Sequence, residues 1–167
     1  PSQARLSVVT PDGAREERQL SIAQRQYAIQ RLDGLPPNQV TPPPELLERI
    51  RRENALVDEA RRRDFPQAYF LSGFVWPMVG RISGVYGSQR ILNGEPRQPH
   101  YGVDIAAPIG TPVRAPADGI VTLAEPDLYY SGATVIIDHG YRLSSTLMHL
   151  DRIDVAVSQR VRQGDAV

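Results

Sequence analysis

The order of apolar and polar residues divides the chain into two textures. Leu6 to Val9 is a short β-prone run, Thr10-Pro11-Asp12-Gly13 is a turn, and apolar alternation resumes over Gln19 to Ile22, which predicts a hairpin. Tyr27, Ile29 and Arg31 alternate with Ala28, Gln30 and Leu32, predicting a further strand that ends at Asp33-Gly34. A sheet this small buries little alone, so it is expected to pack on a neighbour or to be the remnant of a larger module. Between Leu35 and Pro44 five of the ten residues are proline, which lacks the N–H of a ladder; this predicts a stiff connector. Leu46, Leu47, Ile50, Val57 and Ala60 then recur at helical spacing, with Pro44, Glu45 and Glu48 suited to the first turn and Arg61, Arg62 and Arg63 to the last.

From Phe74 onward the texture is one of short strands broken by Gly and Pro. Gly80 to Tyr86, Val113, Gly119 to Leu123, Thr134 to Asp138, Leu143 to Leu150, Val155 to Val157 and Val161 are the predicted strands, and Gly87 to Gln98, with Asn93-Gly94 inside it, is the predicted polar loop. The expected fold is mainly β: a small antiparallel β barrel or sandwich preceded by a short β module and one linker helix. The expected divisions are an N-terminal β module with Pro-rich connector over 1–43, a linker helix over 44–74 and the β domain over 75–167.

Composition narrows the chemistry. With 167 residues, 41% of them apolar, the chain can bury a core as one domain or as one domain plus a smaller module. Nineteen basic residues, all Arg, balance nineteen acidic ones, so charge gives no reason to expect nucleic acid or an anionic membrane surface as partner. Cysteine is absent, which excludes disulfides and thiolate ligands and leaves nitrogen and oxygen to hold any metal. No apolar run approaches the ~20 residues that cross a bilayer. The chain starts at Pro1, without Met or a signal peptide, and so reads as an excised fragment.

The candidate chemistry lies in the β region, which holds all three histidines. In Pro99 to Pro108, PHYGVDIAAP, His100 and Asp104 share a face if the segment is extended, and an imidazole with a carboxylate is a pair that zinc accepts. The plainer alternative is a hydrogen-bonded pair at a loop-to-strand junction. Gly102 between them permits close approach of another backbone or a substrate. Asp138-His139-Gly140 ends an apolar strand, where turn chemistry alone accounts for it. His149 lies between Met148 and Leu150; if these two face the core, strand alternation turns His149 outward or into a groove, as a proton-transfer group or as a surface histidine.

PHYGVDIAAPIGTPVRAPADGIV, followed by VIIDHG, LMHL and VSQRVRQGDAV, resembles the lysostaphin/LytM-type zinc metallopeptidases that cut peptides in bacterial cell walls. The resemblance covers about Trp76 to Val167. Tyr27 to Arg62 is also similar to the region ahead of the peptidase domain in envelope members from Gram-negative bacteria. The resemblance implies that His100 and Asp104 of HxGxD are zinc ligands and that His149 is a catalytic histidine beside the metal, in a site where the ion activates water and polarises the scissile carbonyl. Leu147 stands where the family usually has Tyr, and no Tyr lies between Tyr86 and Tyr101 to steady the oxyanion.

The implied substrate is the peptide cross-links or stem peptides of peptidoglycan. Cell-wall hydrolases or divisome proteins are the implied partners, and the location is the periplasm or envelope of a Gram-negative bacterium. The family completes its site with an HxH motif, and Val167 falls before it; the expectation is therefore that this fragment binds zinc weakly and is inactive without that segment. The alternative is a degenerate, non-catalytic domain that binds and regulates other cell-wall hydrolases. A carrier-type half-barrel has a similar pattern but needs a modifiable lysine, and the chain contains none.

Overall fold

The computed structural model describes residues 1–36 and 40–167. Part of the predicted connector, residues 37–39, lies outside the described residues. At the centre is an antiparallel sheet of β8 (Gly119–Leu128), β9 (Gly132–Asp138), β10 (Ser144–Leu150) and β11 (Arg160–Val161), in the order β10-β9-β8-β11. β9 is buried from Ala133 to Asp138 because both faces of the sheet are covered, which is why its sequence runs apolar without alternating. Val121, Val135 and Ile137 point to one side, where they pack with Ala115, Val161 and Val167. Leu123, Leu128 and Ile136 pack with Ala60 on the other. Val121 and Leu123 are two residues apart yet join different clusters, since a bulge between them turns the strand over.

The second cluster is roofed by helix α1 (Leu47–Arg62), entered through a 3-10 turn at Pro44–Leu46. Ile50 and Ala60 are buried and Val57 packs on the sheet, as the helical spacing predicts, whereas Leu47 is exposed. At 3.6 residues per turn Leu47 lies about 100° round the helix from the face shared by Ile50, Val57 and Ala60, which accounts for that difference. Arg49 fastens the helix to the β8–β9 turn: its Nη2 donates to the Asp127 carbonyl at 2.6 Å and to Asp127 Oδ2 at 3.0 Å. Glu53 accepts from Arg49 Nε at 2.5 Å and from the Tyr129 N–H at 2.7 Å. Burial opposes ionisation of Glu53, but these two donors outweigh it and hold the carboxyl below its ordinary range.

Two smaller sheets stand beside the central one. β4 (Arg81–Gly84) pairs antiparallel with β7 (Asp104–Ala106), and β3 (Ile29–Leu32), β5 (Gln89–Leu92) and β6 (Glu95–Pro96) form a three-stranded sheet in that order. The predicted polar loop over Gly87–Gln98 therefore needs correction: it holds β5 and β6, joined at Asn93-Gly94 with φ of 49° and 83°, the left-handed pair that a two-residue hairpin requires. β3, predicted within the first small sheet, instead runs parallel to β5, Ile29 opposite Gln89 and Leu32 opposite Leu92. Asn93 locks the end of that ladder through Oδ1 to the Leu35 N–H at 3.0 Å and Nδ2 to the Leu35 carbonyl at 2.8 Å. β1 (Gln3–Val9) and β2 (Arg15–Ser21) form the predicted hairpin, with every residue exposed. Val155–Val157 is irregular, turning through the Gln159 N–H to Ala156 carbonyl bond at 3.0 Å, and Arg114, beside Val113, makes only an isolated bridge to Ala166.

Candidate metal-binding site

Asp104 opens β7 opposite Gly84, where a bulge in β4 between Ile82 and Gly84 interrupts the ladder. The close approach is possible because Gly84 has no side chain: a Cβ there would overlap Asp104 Oδ2 and stand 2.8 Å from its Cγ. The carboxylate thus lies across the β4 backbone. His100 precedes β7 and is held to the turn after β4 at both backbone groups, its N–H donating to the Ser88 carbonyl at 2.8 Å and its carbonyl accepting from the Gly87 N–H at 2.7 Å. Its Nδ1 lies 3.3 Å from the Val85 carbonyl and its Nε2 lies 3.1 Å from Asp104 Oδ1.

These contacts define the chemistry of the pair. A carbonyl only accepts, so a hydrogen bond at Nδ1 puts the proton on that nitrogen. In the neutral ring the Nε2 lone pair then faces a carboxylate oxygen at 3.1 Å. Two acceptors at that distance repel unless a proton or a cation lies between them. Zinc bonds of ~2.0–2.2 Å in a tetrahedral shell put neighbouring ligand atoms about 3.3–3.6 Å apart, so a small outward shift of either side chain fits both donors to one ion. The carbonyl behind Nδ1 is the outer support that fixes the orientation of a ligating imidazole. Side-chain exposures of 30% for His100 and 51% for Asp104 leave the pair open to solvent. A Cβ at Gly102 would lie 3.7 Å from Nε2, an ordinary contact, so the space beside Nε2 is open. Tyr86 and Tyr101, both exposed and next in sequence to Val85 and His100, have ring centroids 6.2 Å apart.

The structure brings His100 and Asp104 together, and His149 does not join them in a three-membered metal-holding group. No group of three or more His, Asp or Glu side chains arranged to hold a metal occurs among the described residues. Alternation at His149 is also corrected. A bulge between Leu147 and Leu150 lets both leucines pack on the inner cluster, while Met148 and His149 both turn outward. His149 takes φ of 58°, and its N–H donates to the Ser131 carbonyl at 2.9 Å. A non-glycine residue in that conformation, placed on a bulge, is the kind of device that re-aims a side chain.

His139 is fully buried, with Nδ1 2.6 Å from the Asp118 carbonyl, Nε2 2.8 Å from Ser145 Oγ and its ring edge-on to Phe74 at 5.2 Å. Burial lowers its pKa, against the opposing pull of the Asp118 carbonyl and of Asp138. It is a neutral strut that ties β9 to the segment before β8. The sequence reading did not single out Gly84, the Val85 carbonyl or Tyr27 as parts of the site. The only visible trace of the first two was the glycine spacing of Gly84-Val85-Tyr86-Gly87, which also fits an ordinary turn.

The family described as Peptidase family M23 matches residues 98–167, which include His100, Asp104 and His149. The chain is 36% identical over 88 residues to the peptidoglycan DD-endopeptidase ShyA of Vibrio cholerae, covering 52% of this chain and 20% of that protein. It is 33% identical over 97 residues to a lipoprotein NlpD/LppB homolog of Pseudomonas aeruginosa, covering 58% and 30%. It is 31% identical over 129 residues to the cell division protein DipM of Caulobacter vibrioides, covering 75% and 19%. The chain thus spans less than a third of each of these relatives. A crystal structure labelled as a peptidase M23 from Pseudomonas aeruginosa superposes with a TM-score of 0.72 at 32% identity, covering 100% of this chain and 60% of that one. Residues 98–167 of this chain therefore form a peptidase family M23 domain.

Proposed function

We propose that this chain belongs to a zinc-dependent endopeptidase that hydrolyses peptide cross-links or stem peptides of bacterial peptidoglycan, working in the periplasm or envelope of a Gram-negative bacterium. The observation that carries this reading is His100 Nε2 set 3.1 Å from Asp104 Oδ1, inside the segment that matches the family. On this reading His100 and Asp104 hold the metal, which when bound activates water and polarises the scissile carbonyl. The Val85 carbonyl keeps the His100 proton on Nδ1, and Asp104 contributes the negative charge that retains the cation. His149, exposed on its bulge, orients water or accepts its proton. The β domain of 75–167 is then the peptidase unit, preceded by the linker helix region of 44–74 and the β module of 1–43, whose β3 reaches across to β5.

The test is the set His100→Ala, Asp104→Ala and His149→Ala in the full-length protein. Muropeptide cleavage should be lost in all three, and zinc retention should be lost only in the first two. Unchanged product profiles would sink the proposal. A second reading draws on the pairing of only two metal-type side chains among the described residues: a domain that binds and regulates other cell-wall hydrolases. Full-length protein that cleaves nothing yet accelerates a separate hydrolase would select it.

A further inference from the structure

We propose that Tyr27, far from the site in sequence, is a positioning residue for His100. The inference rests on the reading of His100 as a metal ligand. The N-terminal segment docks as β3 on β5, and the Gln89 N–H reaches back to the Ala28 carbonyl at 3.0 Å, just before that ladder. This places Tyr27 over the turn Val85–Ser88. Its ring occupies the space that a Cβ of Gly87 would enter, with two ring carbons in overlap and Cζ 2.9 Å from that position. Arg25 sits with its guanidinium carbon 5.3 Å from the ring centroid, a cation that holds the ring from the same segment ahead of β3.

The turn under the ring is the one that sets His100. Gly87 donates its N–H to the His100 carbonyl at 2.7 Å, Ser88 accepts the His100 N–H at 2.8 Å, and Val85 presents its carbonyl to Nδ1 at 3.3 Å. Ser88 Oγ also donates to that same Val85 carbonyl at 2.9 Å. The weak member of the set is Gly87, which adopts φ of 85° and has the broadest conformational freedom of any residue. The Tyr27 ring is the group that caps it. Without the ring the turn gains freedom, the Val85 carbonyl loses its aim, and the imidazole proton distributes over both nitrogens. A ligand that binds through Nε2 needs that proton on Nδ1, so a mixed tautomer weakens metal binding.

The test reads the tautomer directly. Full chains carrying Tyr27→Ala and Tyr27→Phe are labelled with 15N-histidine and examined metal-free at pH 8 by long-range proton–nitrogen correlation, with His100→Ala to assign the signals. The wild type and Tyr27→Phe should show His100 protonated at Nδ1, with the flexible Asp104 carboxylate turned off Nε2 while no cation lies between them. Tyr27→Ala should show averaged nitrogen shifts at His100, with the His139 pattern unchanged as the control for the barrel. Zinc titration of the same proteins should give a dissociation constant raised at least tenfold in Tyr27→Ala and restored in Tyr27→Phe. An unchanged His100 pattern in Tyr27→Ala overturns the proposal. Should that variant also disturb His139, Tyr27→Leu keeps apolar bulk ahead of β3, and an unchanged His100 pattern there overturns it equally. A tautomer shift in Tyr27→Ala, where the wild type itself binds no zinc, would uphold the coupling and refute the metal reading.

Discussion

At Gly84 one missing carbon allows Asp104 to lie across β4. Gly84 is outside the left-handed region, and the three atoms nearest an added Cβ all belong to Asp104, its Oδ2, its Cγ at 2.8 Å and its Cβ at 3.1 Å. The carboxylate is the free end of a flexible side chain and can swing aside, at the cost of its 3.1 Å approach to His100. Gly84→Ala should therefore leave thermal stability nearly unchanged while weakening zinc binding by roughly 10- to 100-fold, as outer-shell changes do; calorimetric titration beside a melting curve checks both halves. His139 gives a prediction in pH. Its folded pKa lies below the ordinary 6.5 because of burial, so between those values the unfolded chain holds the extra proton. Stability from this group is then fully present above 6.5 and is lost as pH falls through the window. Asp138, raised by burial, acts in the opposite sense, its contribution lost as pH rises above 3.8. Melting temperature between pH 7.5 and 5.5 should fall more steeply in the wild type than in His139→Gln. The His100–Asp104 pair was legible because both residues lie close in sequence. Their supports were not, since a backbone carbonyl has no letter of its own and the glycine at position 84 also fits an ordinary turn.

Among elements, α1 offers the sharpest contrast between its two sides. Ala60 is 4% exposed against Leu123, Leu128 and Ile136, whereas Leu56 on the outer side is 47% exposed. Ala60→Leu should cost about 1–3 kcal/mol by overpacking, and Leu56→Ala should stay within about 0.5 kcal/mol of the wild type, both read from urea unfolding. The helix and β9 were legible because their signals are local: a 3.6-residue period in one, and an apolar run with β-branched residues in the other. β5 and β6 were obscured by Arg90, Glu95 and Arg97, although Asn93-Gly94 between Leu92 and Glu95 is itself a hairpin signal. The partner of β3 could not be read locally at all. A parallel pairing needs a crossover, and nothing in Ile29–Leu32 names Gln89–Leu92 as its complement.

For the molecule as a whole, that pairing makes the N-terminal region two parts with different consequences. The β1–β2 hairpin is exposed throughout, and a lone two-stranded hairpin has little stability of its own. Deleting residues 1–24 should leave the melting temperature and zinc affinity where they were, because Arg25, Tyr27 and β3 remain. Deleting residues 1–36 removes β3, the Tyr27 ring over Gly87 and the Leu35 partner of Asn93 together. The remaining chain must expose β5 as an edge with unpaired N–H and C=O groups, a template for pairing with another copy. Lost ladder bonds at roughly 0.5–1.5 kcal/mol each should lower the melting temperature by about 5 °C or more. The same truncation should raise the zinc dissociation constant to the extent that Tyr27→Ala does, since both free the turn that holds His100. Sedimentation should show self-association of the longer deletion alone, rising with concentration. Equal melting, association and zinc affinity in the two truncations would mean that β3 is an ornament on the M23 domain and that the site is set without it.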